Sequence, residues 1–219
     1  MIEENYHYDV DSLIARYPVL KDCKQGILDA YKILDDCFAS GHKLLIAGNG
    51  GSCADSEHIV GELMKGFKKK RPVSQKLANK LISIDPVRGQ ELADKLQQGL
   101  PCIALDGHQG LNTAFTNDVD NGGLLTYAQQ INGYGKEGDV FLGISTSGNS
   151  KNVMYAAVIA KAKGLKVIGL TGQKGGQLKD IADITIKAPS NETFMIQELH
   201  LPIYHCLCLM LEERFFDGR

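Results

Sequence analysis

The chain has 219 residues, 43% hydrophobic and 23% charged, with a net charge of −2. That length and apolar content suit one α/β domain with additions. The charge gives no electrostatic reason to expect nucleic acid as a partner, and no apolar run approaches the ~20 residues of a membrane span. The start, Met1-Ile2-Glu3-Glu4-Asn5, is acidic and lacks the apolar stretch of a signal peptide. None of the six cysteines (Cys23, Cys37, Cys53, Cys102, Cys206, Cys208) forms a C-x-x-C pair, so free thiols in a reducing cytoplasm are expected.

The first expected element is a short helix over 6–17, capped by Asp9 or Asp11. Pro18 separates it from a longer helix, Leu20 to Ser40. There Leu20, Cys23, Ile27, Leu28, Tyr31, Leu34 and Phe38 recur at three- and four-residue steps and Gly41 supplies the stop. Lys43–Ala47 reads as the first strand. Gly48-Asn49-Gly50-Gly51-Ser52 comes next and leads into a helix running to Gly66 or Phe67. A glycine-rich turn between strand and helix presents unsatisfied backbone N–H groups to an anion. On that helix His58 and Glu62 stand four residues apart and so share a face. They are either an acid/base or metal-binding pair or the polar outside of a helix.

The run Lys68-Lys69-Lys70-Arg71-Pro72 reads as a solvated helix end, with a patch for phosphate or an acidic partner as the alternative. Leu77 to Ile84 is amphipathic and Asp85-Pro86 breaks it; Gln90 to Leu100 reads as a further helix ending at Gly99. Pro101–Leu105 is the second strand. Leu111 to Phe115 is a helical turn leading to Thr116-Asn117-Asp118, and Leu124 to Ile131 another helix. The third strand, Asp139–Ile144, opens into Ser145-Thr146-Ser147-Gly148-Asn149-Ser150. The helix Lys151–Lys163, the strand Lys166–Leu170, a short helix near Gln177–Ile181 and the strand Ile184–Ile186 come next. The last helix starts near Thr193 or Phe194, carries Pro202, and reaches Phe215.

Strands alternating with helices at this spacing predict an α/β fold with a five-stranded parallel sheet covered by helices on both faces. Ligands of such sheets sit past the carboxyl ends of the strands, where both the 48–52 and 145–150 loops fall. Four hydroxyls in six residues suit the oxygens of a phosphate, although Ser150 also serves as an ordinary helix cap. Neither loop has the spacing of a nucleotide-triphosphate or dinucleotide loop, so a sugar phosphate fits better.

The apolar final helix offers Gln197, His200 and His205. Gln197 and His205 differ by about 80° and roughly 12 Å of rise, and meet at one point only if fully extended or if Gln197 sits before the regular helix begins. His200 is turned about 140° from His205 and is expected to face the core. Zn²⁺ accepts a His/Glu/Gln set. A carboxylate and an imidazole beside a bound sugar phosphate suggest aldose–ketose isomerisation by proton transfer, with Glu62 as base and His205 as acid.

These residues resemble the SIS (sugar isomerase) domain family, and within it the phosphoheptose isomerases, over roughly residues 10–67 and 101–216. The resemblance rests on Gly48–Ser52, His58 with Glu62, Asn117-Asp118, Gly143–Ser150, Leu170-Thr171-Gly172 with Gly175-Gly176, and Ile196-Gln197-Glu198 followed by His205. It implies a flavodoxin-like three-layer sandwich in a single SIS domain spanning 1–219, with an N-terminal helical segment at 6–40 and an insertion at about 73–100. It further implies a cytoplasmic homotetramer with active sites near subunit boundaries. Ser52, Ser145, Thr146, Ser147 and Ser150 would bind phosphate and nearby sugar oxygens; Asn49, Gly50, Gly51, Asn117 and Asp118, with Glu62 and Gln197, would line the sugar site. His58, Glu62, Gln197 and His205 match the family's zinc positions, and Glu62 and His205 its base and acid. Sedoheptulose 7-phosphate would be converted to D-glycero-D-manno-heptose 7-phosphate for nucleotide-heptose synthesis.

The chain departs from the family pattern in two places. Gly66 stands where the family usually has an arginine, with Lys65 before it and Lys68 after, and the 73–100 insertion leaves room for a different phosphosugar. The alternatives are a non-catalytic SIS protein that binds a replication initiator and a module that senses a sugar phosphate. The former lacks the acidic residue at the Glu62 position and the histidine at the His205 position; the latter usually carries a DNA-binding domain, and none is seen here.

Overall fold

A computed structural model describes residues 9–216. The acidic start and residues 6–8 of the first expected helix lie outside the described residues. Helix α1 (Val10–Arg16) begins at Asp9, whose carboxylate accepts the Ser12 N–H at 2.8 Å. A 3₁₀ segment, Pro18–Cys23, leads into α2 (Lys24–Ala39). Gly41 ends α2 at φ +77°: its N–H reaches the Phe38 carbonyl and the His42 N–H the Cys37 carbonyl, a paired closure that needs a left-handed residue.

The remaining elements are β1 (Leu44–Ala47), α3 (Gly51–Met64), α4 (Gln75–Ile84), α5 (Pro86–Lys95), β2 (Cys102–Ala104), α6 (Gln109–Asp118), α7 (Gly122–Tyr134), β3 (Val140–Ser145), α8 (Lys151–Ala162), β4 (Lys166–Gly172), α9 (Leu178–Ile181), β5 (Ile184–Ala188) and α10 (Thr193–Phe216). The five strands form one sheet in the order β2-β1-β3-β4-β5, every pair parallel. The expected α/β fold with a flavodoxin-like strand order is therefore present.

Alternation along the strands divides the core in two. Leu44, Ile46, Val140, Leu142, Ile144, Ile168 and Leu170 face one side, with α1, α2, α3 and α10. Leu45, Ala47, Phe141 and Val167 face the other, with α7, α8 and α9. The strand order reverses direction around β1, so the loops after β1 and β3 open side by side at the carboxyl edge.

Two expectations change. The second helix of the 73–100 segment starts at Pro86, not Gln90, and stops at Lys95. Asp85 ends α4 and at once caps α5, its Oδ1 accepting the N–H groups of Val87 and Arg88 at 3.0 and 2.9 Å, with Pro86 in the first-turn position that needs no donor. The break is thus a hinge between two helices. Second, α10, at 24 residues and mean hydropathy 1.3, is long and apolar enough to span a bilayer by length and composition. Half of that window is buried against the rest of the chain, where α10 packs on α2, α3 and the sheet.

Candidate active site

Helix α3 buries Ser52, Ser56, Ile59 and Leu63 and leaves Asp55, His58 and Glu62 on a neighbouring stripe. Helix α10 runs parallel to it in a constant register. Gln197 lies at Gly51, Tyr204 at Asp55 and His58, His205 at His58, and Glu212 at Phe67. The register brings His58, Glu62 and His205 together. His58 Nε2 is 3.3 Å from Glu62 Oε1 and 3.4 Å from His205 Nε2. Phe67 packs on the His205 ring with centroids 5.3 Å apart. Burial first, then the neighbouring His58, hold the His205 imidazole below its ordinary pKa, with Glu62 acting in the opposite direction.

Sequence reasoning missed Asp55 and Tyr204. The Tyr204 hydroxyl lies 3.1 Å from Asp55 Oδ1 and 3.0 Å from His58 Nδ1. An ionised carboxylate only accepts, so the single phenolic proton goes to Asp55 and His58 Nδ1–H donates to the phenol oxygen. In the neutral ring His58 Nε2 then turns a lone pair toward Glu62 and His205. The available signal was positional: Asp55 is one helical turn before His58, and Tyr204 adjoins His205.

The same register separates Gln197 from this group. A Cβ on Gly51 would stand 2.6 Å from Gln197 Nε2, so the first residue of α3 has to be glycine for the amide to lie there. Gly51 is seven residues, roughly 10 Å of helix, from His58. Within one chain Gln197 is therefore not a fourth member of the His58–Glu62–His205 group, because parallel helices keep the eight-residue spacing. His200 points away from the site: it is fully buried, Nε2 lies 3.2 Å from the Thr171 carbonyl, and burial lowers its pKa to about 4.

At the sheet edge, Gly50 takes φ +57° to start α3, and Ser52 is buried beneath it. Asn49 exchanges two amide hydrogen bonds, 2.9 and 2.8 Å, with Asn152 on the first turn of α8, another residue the sequence did not single out. This pair ties the first loop to the second. In the second, Ser145 Oγ and Ser150 Oγ are 2.9 Å apart, Ser147 Oγ accepts the Asn149 N–H at 3.1 Å, and Gly148 turns at φ +67°. A side chain at Gly148 would meet the Gly175 carbonyl at 2.1 Å, so the 172–177 loop packs directly behind the turn. Ser150 occupies the cap position of α8 without a capping side-chain bond. The loop thus leaves a helix start and several hydroxyls for an anion. Thr146, Ser147 and Asn149 line a cavity of about 230 Å³ with Lys174 and Ser190. Asn117 and Asp118 end α6 at the surface and bond to each other at 2.9 Å; no hydrogen bond among the described residues ties them to either loop.

The basic run is only partly a solvated surface. Arg71 is fully buried; it holds Glu212, the carbonyls of Leu63 and Glu62, and stacks 4.4 Å over Phe216. Glu212 also accepts the N–H groups of Phe67 and Lys68, both at 2.8 Å. This clasp fixes the end of α3, where Lys65 Nζ stands 3.5 Å from Glu62 Oε2.

A SIS domain family model matches residues 92–172. The phosphoheptose isomerase of Aneurinibacillus thermoaerophilus is 39% identical over 209 residues, covering 95% of this chain and 89% of its own length. Phosphoheptose isomerase 2 of Campylobacter jejuni is 36% identical, covering 94% and 90%. Among solved structures, phosphoheptose isomerase GmhA from Neisseria gonorrhoeae superimposes with a TM-score of 0.72 at 28% identity, covering 93% of this chain and 94% of its own. A phosphoheptose isomerase from Francisella tularensis gives 0.69 at 30% identity, again covering 93% and 94%. With identity of this level along nearly the whole length and the same fold, the chain belongs to the phosphoheptose isomerase family of SIS-domain proteins.

Proposed function

We propose that the chain interconverts the ketose and aldose forms of a phosphosugar, in the first instance sedoheptulose 7-phosphate and D-glycero-D-manno-heptose 7-phosphate for nucleotide-heptose synthesis. The observation that carries this is the convergence of His58, Glu62 and His205 on a helix pair rooted beside a hydroxyl-rich, uncapped helix start. Ser145, Thr146, Ser147 and Ser150, with Ser52, hold the phosphate and nearby oxygens; Asn49, Gly50, Gly51, Asn117, Asp118 and Gln197 border the sugar. Glu62 removes the proton from the carbon next to the carbonyl. His205 gives a proton to the carbonyl oxygen. Return of a proton to the former carbonyl carbon, with loss of one from the adjacent hydroxyl, completes the isomerisation without any outside oxidant or reductant.

His58, Glu62 and His205 would hold zinc. Zn–N bonds of about 2.0–2.1 Å at a tetrahedral angle put ligand atoms about 3.3–3.4 Å apart, which agrees with the two distances at His58 Nε2. Among the described residues no group of three or more His, Cys, Asp or Glu side chains is arranged to hold a metal ion as it stands. The pairwise spacing nevertheless leaves room for a cation between His58 Nε2, Glu62 Oε1 and His205 Nε2. The ion would supply positive charge to the carbonyl and enediolate oxygens. A fourth ligand would be a substrate oxygen or Gln197 of a second copy. A homotetramer with sites at subunit boundaries accounts for exposed Phe194 and Leu201 on α10 and Met64 on α3, at 60%, 40% and 48% exposure. Six free thiols suit the cytoplasm.

The test supplies zinc-loaded protein with sedoheptulose 7-phosphate and tracks aldose formation and solvent-deuterium uptake at the reacting carbon. Equal rates for wild type and Glu62→Gln, or no conversion by either, would remove the reading.

A further inference from the structure

The insertion creates a second cavity outside the proposed active site. It has a volume of about 530 Å³ and lies between the loop 66–72 and the end of α5. Its lining includes Lys68, Lys69, Lys70 and Lys95 against the single carboxylate of Asp94, with Phe67, Pro72 and Leu96 as its apolar surface. The chain as a whole carries a net charge of −2, so this is a local reversal of sign.

Like charges on a flexible loop would spread into solvent. Here the backbone is fixed from both sides. Glu212 holds the N–H groups of Phe67 and Lys68. Gln97 Oε1 accepts the Gly66 N–H at 2.7 Å, the Gln98 N–H reaches the Arg71 carbonyl at 2.7 Å, and the Gln98 amide reaches the Pro72 carbonyl at 2.8 Å. Arg71 is occupied by Glu212 and contributes little free charge. Among the described residues neither Lys68 nor Lys70 has a carboxylate partner for its side chain. Lys95 is paired with Glu91, an exposed pair that a stronger anion can replace.

We propose that this cavity is a binding site for a phosphorylated ligand of nucleotide type, its phosphates on the lysine wall and its ring on Phe67, Pro72 and Leu96. The volume falls in the range of small-molecule sites, about 300–1,000 Å³, and exceeds what one phosphate ion fills. Lys68 and Lys70, with Lys95 whose exposed pair can exchange, suit a diphosphate rather than a neutral ligand. The Phe67 ring also packs on His205, so the ligand sits one side chain from the proposed catalytic group. The site itself does not depend on the proposed reaction.

The probe is ADP, titrated by calorimetry into the full-length protein at low salt, with adenosine and pyrophosphate alongside. ADP binds, adenosine alone does not, and pyrophosphate binds more weakly than ADP. The exposed double variant Lys70→Gln/Lys95→Gln, drawn from both walls, weakens ADP roughly tenfold, while Ser147→Ala in the other loop leaves ADP binding unchanged. Absence of ADP binding at millimolar concentration, an unaltered double variant with wild-type melting, or loss of binding in Ser147→Ala would each overturn the assignment. Because the readout is binding, the answer stands whether or not the chain isomerises a heptose phosphate.

Discussion

The helix pair α3–α10 and the helix pair α4–α5 are both two helices side by side, yet they are held in different ways. In the first, Ile59, Leu63, Ile196, Ile203, Tyr204, Cys206, Leu207 and Leu211 are buried in one core cluster, and the register is fixed by side chains that meet at constant offset. In the second, α4 buries no residue and α5 buries only Gly89, whose missing side chain lets α5 approach the Leu81 carbonyl. Ile84 and Val87 at the tip are 83% and 79% exposed. The hairpin packs mainly on itself and joins the body through the Pro72–Gln97 bridge and the Gln98 bonds. Rigid positioning of the candidate site belongs to the first pair; the second is an appendage that shapes a cavity at its base.

That contrast can be tested by mutation. The largest expected effect is on chemistry: Glu62→Gln lowers isomerisation about 10²–10⁴-fold with little change in melting temperature, and unimpaired turnover would remove Glu62 from the base role. Next is the clasp. Glu212→Ala leaves Arg71 as a buried unpaired charge and costs about 3–5 kcal/mol, read as a lower urea midpoint. A loss of stability below a tenth of that would mean water replaces the carboxylate.

His200 gives the pH dependence. Its folded pKa of about 4 lies below the ordinary 6.5, so the neutral ring is favoured by folding. That stability is fully present above pH 6.5 and is lost as pH falls from 6.5 toward 4, an effect of about 3 kcal/mol. Urea titrations at pH 7 and pH 4.5 measure it; a His200→Asn variant with the same acid sensitivity as wild type would assign the loss to other groups.

Tyr204→Phe removes the hydroxyl between Asp55 and His58. With zinc on His58 as proposed, its affinity should fall about 10–100-fold while the ring keeps its packing, which a metal-competition titration resolves. The smallest effect is on the hairpin. Replacing 75–96 by a short glycine–serine linker should change stability by less than about 1 kcal/mol, since no large apolar side chain is uncovered. A loss of several kcal/mol would show that α4–α5 is part of the folding unit.

Strand–helix alternation, the glycine stop after α2 and the glycine- and serine-rich loops are local properties, so the parallel sheet and the placement of the two loops at its carboxyl edge were legible from residue spacing, while the flavodoxin-like order came with the family resemblance. The i,i+4 pairing of His58 and Glu62 was legible for the same reason. The α4–α5 boundary was missed because Asp85 both closes one helix and caps the next, and a break signal does not specify where the second helix begins. Arg71 looked like surface because four neighbouring residues are basic or turn-forming, while its partner Glu212 is 141 residues away.

Residue order alone therefore set the fold class and the placement of both loops at one sheet edge, since each derives from short-range periodicity or a motif, and it named the candidate residues for proton transfer. Packing settled which of those residues meet. The parallel register of α3 and α10 set His205 against His58, moved Gln197 to Gly51, buried His200 and recruited Asp55 and Tyr204. Those contacts join segments about 145 residues apart, and only the packing of two helices on a shared core fixes an offset that no local pattern records.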